Sequence, residues 1–115
     1  MKKNILLGFV FLPAMTFAQP VQQDSYKVHE QNCRTIMEIA HSIMEKKQNG
    51  VPLSKALEEN DVIFKKIHNI NVERLYNSIT RDVYEQPNYS TPSMKQKQLN
   101  DFTTTTYLGC MATQD

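Results

Sequence analysis

The chain has 115 residues, 13 basic and 12 acidic side chains, three histidines, two cysteines and only three glycines. That length suits one modest domain. The near-balanced, interspersed charge leaves no basic footprint for nucleic acid or for an anionic membrane surface. So few glycines argue against the Gly-rich phosphate loops and nucleophile turns of many enzymes.

Residues 1–18 read as a secretory signal peptide. Lys2 and Lys3 precede a 13-residue, largely apolar run from Ile5 to Phe17, interrupted by Gly8, Pro13 and Thr16. A membrane-spanning helix needs about 20 apolar residues, so an uncleaved anchor is the poorer reading. Thr16 and Ala18 supply the small residues before a cleavage point after Ala18, and no cysteine follows there to take a lipid. Cleavage leaves 11 basic against 12 acidic residues, a net of −1. A bacterial periplasmic or secreted location follows, with no membrane insertion once the signal is gone. In such an oxidising compartment Cys33 and Cys110 pair, closing a loop of 76 intervening residues. An intermolecular bridge and two reactive thiols are the alternatives. Without a Cys-x-x-Cys pair, a thioredoxin-like redox role has little support.

Residues 19–25 are polar and proline-containing, and read as a flexible leader before one helical domain over 26–115. Tyr26, Cys33, Ile36, Met37, Ala40, Ile43 and Met44 recur at helical spacing and predict a first helix from Tyr26 to Gln48, stopped at Asn49-Gly50. Val51-Pro52-Leu53 reads as a turn. Ser54 is the expected N-cap of a short helix over Lys55–Glu59, with Asn60-Asp61 capping another start. Asn69-Ile70-Asn71 is either a break capped by Asn71 or part of a longer helix. Val72, Leu75, Tyr76, Ile79 and Val83 form the next apolar stripe, ending near Glu85 because Pro87 disfavours helix at Gln86. Thr91-Pro92 is a helix start, a cap followed by proline at the first helical position. Met94, Leu99, Phe102, Thr106 and Cys110 carry that helix on, despite the strand propensity of Thr103–Thr106. The expected fold is all-α: a small antiparallel bundle of three to four helices closed by one disulfide, both cysteines lying at one end.

The succession of Cys33, the Ile36–Met44 stripe, residues 46–53, residues 82–87, Ser90-Thr91-Pro92 and Cys110 resembles a loose group of small secreted bacterial helical proteins with one cysteine pair. That resemblance implies export, a helical domain and a disulfide, and implies no mechanism. In layout the chain is also similar to periplasmic acid-stress chaperones.

Candidate sites are few. Met37, His41 and Met44, spaced i, i+4, i+7, could offer thioether and imidazole ligands to copper(I); the competing reading is a core stripe bordered by a histidine. His29 and Cys33 lie one turn apart, but zinc would need two more ligands and a disulfide would consume the thiolate. Glu38, His41 and Glu45 read as a solvated face. Asn88-Tyr89-Ser90 matches a glycosylation sequon, a chance match in a bacterial protein. No nucleophile motif is present. The segment around Tyr84, Asn88 and Tyr89, stiffened by Pro87 and Pro92, is the candidate partner-binding surface; the competing reading is a plain connector with Tyr84 packed on the core. The expected function is a non-enzymatic periplasmic protein, without a cofactor, that binds or protects a protein partner in the cell envelope as an inhibitor or chaperone does. A Met/His metal-binding protein is the alternative, and a small hydrolase the remotest.

Overall fold

Four stretches of the chain satisfy their own backbone hydrogen bonds as helices in the computed structural model, which describes residues 21–113. They are α1 (Val21–Gln48), α2 (Leu53–Ile67), α3 (Ile70–Tyr84) and α4 (Pro92–Ala112). The all-α class and the disulfide agree with the sequence reading. The signal peptide over 1–18 lies outside the described residues. Residues 21–25, expected as leader, belong to the first turns of α1.

Each boundary has a local cause. Gly50, at φ 90°, ends α1 in a left-handed turn: its own N–H bonds the Lys47 carbonyl at 3.0 Å, and the Val51 N–H reaches back to the Lys46 carbonyl at 3.0 Å. Pro52 rather than Ser54 starts α2. Its extended backbone and fixed φ place its carbonyl to accept from the N–H groups of Lys55 and Ala56. Ser54 is therefore inside the first turn, and the helix runs on through Asn60-Asp61 without a second start. His68 closes α2 in the left-handed region at φ 54°, ψ 40°, which His tolerates better than most residues. The chain does break there, but Asn69, not Asn71, caps α3: its Oδ1 accepts from the N–H groups of Asn71 and Val72. Thr91 Oγ1 accepts from the Met94 N–H and Pro92 opens α4. In α4, the Thr103 and Thr106 hydroxyls donate back to the carbonyls of Leu99 and Phe102, so these β-branched residues are accommodated within the helix.

The core is built on α1. Ala40, Ile43 and Met44 pack against Ile79 and Val83 of α3 and Leu99 of α4. Helices α1 and α4 run antiparallel: Glu30 meets Tyr107 near one end and Gln48 meets Lys95 near the other. α2 sits on α3. Phe64 meets Tyr76 edge-on at 6.1 Å, and the buried Asn60 amide donates to Asn77 Oδ1 and Thr80 Oγ1. The Lys46–Glu59 ion pair ties α2 to α1.

Helix length decides where the core stops. α1 has 28 residues, about 42 Å at 1.5 Å per residue, whereas α2 and α3 have 15 each, about 22 Å. The apolar cluster reaches no further than Ile36 on α1 and Phe102 on α4. At its edge the fully buried Cys33 is bonded to Cys110 with a Cα–Cα distance of 5.6 Å, and from there α1 and α4 continue as a two-helix arm. Tyr26, placed on the core stripe by its spacing, is accordingly 53% exposed.

Candidate functional site

The loop from Glu85 to Thr91 joins α3 to α4 at the end of the bundle away from the disulfide. Lys47, fourteen residues and about 21 Å along α1 from Cys33, meets it there. A hydrogen-bonded clasp holds the loop in place. The Lys47 ammonium donates to the Pro87 carbonyl and to Asn88 Oδ1, the latter at 2.6 Å. Pro87's carbonyl also accepts from Gln98 Nε2 at 2.7 Å. Gln98 is buried, and its Oε1 takes a bond from Gln48 Nε2, which bonds the Lys95 carbonyl as well. The Lys95 ammonium returns to the Gln48 carbonyl. The end of α1, the loop and the start of α4 are thus laced together through polar side chains, every bond crossing between elements or into the loop.

Tyr84 and Tyr89, five residues apart, have opposite fates. Tyr84 packs against the core, and its hydroxyl donates to the Val51 carbonyl at 2.6 Å. Burial, helped by the nearby Glu59 charge, pushes its phenol above the usual range. Tyr84 therefore braces α3 against the 49–52 turn, and its partly exposed side also lines the cleft beside the loop. Asn88 is exposed but engaged by Lys47. Tyr89 is exposed at 37% and belongs to no helix.

Tyr89 stands as a ridge between two open clefts. One, of about 420 Å³, lies between the loop and the 49–52 turn, with Lys47 and Lys95 in its wall. Burial lowers the Lys47 pKa from its ordinary value. Neither lysine has a carboxylate within ion-pair reach among the described residues, so both positive charges are capped by carbonyl oxygens yet not neutralised. The other cleft, of about 330 Å³, lies against α4, where Met94 and Phe102 supply an apolar floor beside the Lys97–Asp101 pair.

The remaining candidates are dispersed. Met44 is fully buried in the core, whereas Met37 and His41 are partly exposed and His41 Nδ1 lies 3.6 Å from Glu45 Oε1. Glu38 and Glu45 are exposed, as a solvated face requires. The sequence reading passed over Lys47, Gln48, Lys95 and Gln98. Lys47 and Gln48 end one helix and Lys95 and Gln98 begin another, and they read as ordinary surface polarity until the antiparallel pairing brings those ends together. Their one common signal is position: all flank the two turns expected at this end. Among the described residues no helix is long and apolar enough to cross a membrane. Compared with known proteins, the chain matches no family model, no curated protein and no solved structure.

Proposed function

We propose that this is a secreted, non-enzymatic partner-binding protein of the bacterial cell envelope, whose recognition surface is the Tyr89 ridge with its two flanking clefts. The observation that carries the reading is an exposed aromatic on a loop that is held by the clasp of Lys47, Gln48 and Gln98. A loop already ordered loses little entropy on binding. Tyrosine is a preferred anchor at protein interfaces, and neighbouring clefts can take the partner's own anchors. One cleft fits an acidic side chain through its two unneutralised lysines and the other an apolar one through Met94 and Phe102, so the partner carries both close together. Export is supported by the residue 1–18 pattern and by the oxidised cysteine pair.

The test is a paired substitution. The protein captures its partner from envelope extract, and the partner is identified and purified for a binding titration. Tyr89→Ala should weaken that binding at least tenfold while stability stays within about 0.5 kcal/mol, as for most exposed positions. Leu108→Ala, an exposed site on the disulfide arm, should change neither. Unfolding by Tyr89→Ala would make Tyr89 structural. Full binding by that variant would make the loop a connector and remove this reading.

A further inference from the structure

At the closed end of the arm, three donor side chains meet. His29 lies one turn before Cys33 on α1, and Cys110 comes from the last turn of α4. His29 Nε2 is 2.9 Å from the Cys110 carbonyl and 3.5 Å from Cys33 Sγ, and the three ligand atoms lie within 4.8 Å of one another. In the disulfide state this imidazole has a structural task. An Nε2 facing a carbonyl carries the proton and donates it. The same carbonyl also accepts from the Thr113 backbone N–H and, at 2.7 Å, from the Thr113 hydroxyl. It therefore remains satisfied if His29 turns to another partner.

From this convergence we infer that the reduced chain is a metal site: Cys33 and Cys110 thiolates with the His29 imidazole hold one copper(I) ion, and the disulfide is the closed form of that site. The ligand count selects the ion. Thiolate sulfur is the soft donor that copper(I) prefers. Zinc sites with three protein ligands need a fourth from water or substrate, whereas copper(I) is satisfied by three. Among the described residues no fourth His, Cys, Asp or Glu joins this group.

Opening the site takes a dithiol reductant. One of its thiolates attacks Sγ of Cys110, the less buried of the two cysteines. The S–S bond breaks, a mixed disulfide forms on Cys110, and Cys33 leaves as a thiolate beside His29 Nε2–H. The reductant's second thiolate then displaces Cys110 and departs as a disulfide, having supplied two electrons and two protons. Copper(I) binding releases the two thiol protons and leaves His29 with its proton on Nδ1, so that Nε2 binds the ion. The site carries a net charge of −1. This is a different end of the molecule from the Tyr89 ridge and does not depend on it.

The experiment is a competition between the purified protein and a chromogenic copper(I) chelator, without oxygen, in oxidised and dithiol-reduced forms, with circular dichroism alongside. The reduced protein should remove one equivalent of copper(I) from the chelator, and the oxidised protein none. The Cys33→Ser/Cys110→Ser protein should remove none, and His29→Ala should bind at least tenfold more weakly. If reduction unfolds the helices, copper(I) should restore them. Absence of uptake by the reduced protein, failure to restore lost helix, or undiminished binding by His29→Ala would each overturn the inference. Tighter binding of zinc than of copper(I) in the same competition would overturn the choice of ion.

Discussion

The two ends of the bundle are held by different physics. At the loop end all four helices are present, and the polar clasp of Gln48, Gln98, Lys47 and Pro87 rests on the apolar core of Met44, Val83 and Leu99. At the arm end Tyr26, Val28 and Leu108 stay more than half exposed, and one covalent bond, made at the fully buried Cys33, joins α1 to α4. A small scaffold that cannot bury enough apolar surface uses a staple, and here the staple sits where the burial stops. The loop end can therefore present a side chain without a crosslink. The arm end stays closed through chemistry that a reductant can undo.

The strongest way to break this contrast is to remove the staple. Cys33→Ser or Cys110→Ser frees a sequence separation of 77, which the chain-entropy relation puts at about 4 kcal/mol. For a domain of this size that lowers the melting temperature by roughly 15 °C or more. The double variant should match either single one, since all three lose the same constraint. Hydrogen exchange should show amides of residues 24–36 losing protection before those around Met44. An unchanged melting temperature, or free thiols in the native protein, would end the account of the arm.

A smaller effect is expected at the loop end, because many contacts share the load there. Tyr84→Phe keeps the ring on the core but removes the hydroxyl that donates to the Val51 carbonyl. A single such bond contributes about 1 kcal/mol, or roughly 4–8 °C in melting temperature. Tyr84→Phe should also weaken partner binding less than Tyr89→Ala does. A Tyr84→Phe protein as stable as the parent would show that the 49–52 turn is held without this brace.

Much of this layout was legible in the sequence because its signals are local. Gly50 after a helical stripe and Thr91 before Pro92 act within one turn of the chain, and two cysteines allow one intramolecular pairing. The errors came where local chemistry had a distant use. Asn60 carries good capping chemistry, but its amide is bonded to Asn77 and Thr80 on another helix. Tyr26 lies on a true apolar stripe, yet a stripe says nothing about the length of the helix meant to cover it. Tyr84 ends α3 and Tyr89 lies in the loop just after it, and only the approach of the 49–52 turn separates brace from ridge. His29 likewise acquires a role only when pairing brings Cys110 beside it.

The smallest expected effect sharpens the contrast through pH. On the arm, the Tyr107 hydroxyl donates to Glu30 Oε2 at 2.6 Å, and Arg34 Nε donates to the same carboxylate. Tyr107 first and Arg34 second hold the Glu30 pKa below its ordinary 4.5. In turn the bond to Glu30, with burial next, raises the Tyr107 phenol above 10.0. The two signs bracket a window. A carboxyl with a depressed folded-state pKa contributes stability that is present above 4.5 and is lost as pH falls through the lower folded value. A phenol with a raised one contributes stability that is present below 10.0 and is lost as pH rises through the higher folded value. The contribution is thus complete between these limits and fades on either side. Tyr107→Phe removes the bond, so arm amides near Glu30 should exchange faster than in the parent protein at pH 7. That difference should shrink well below pH 4.5, where Glu30 is protonated in both proteins. Amides around Gln98 at the loop end should show no difference at either pH. An equal difference at pH 7 and in acid would mean that Tyr107 steadies the arm by packing alone.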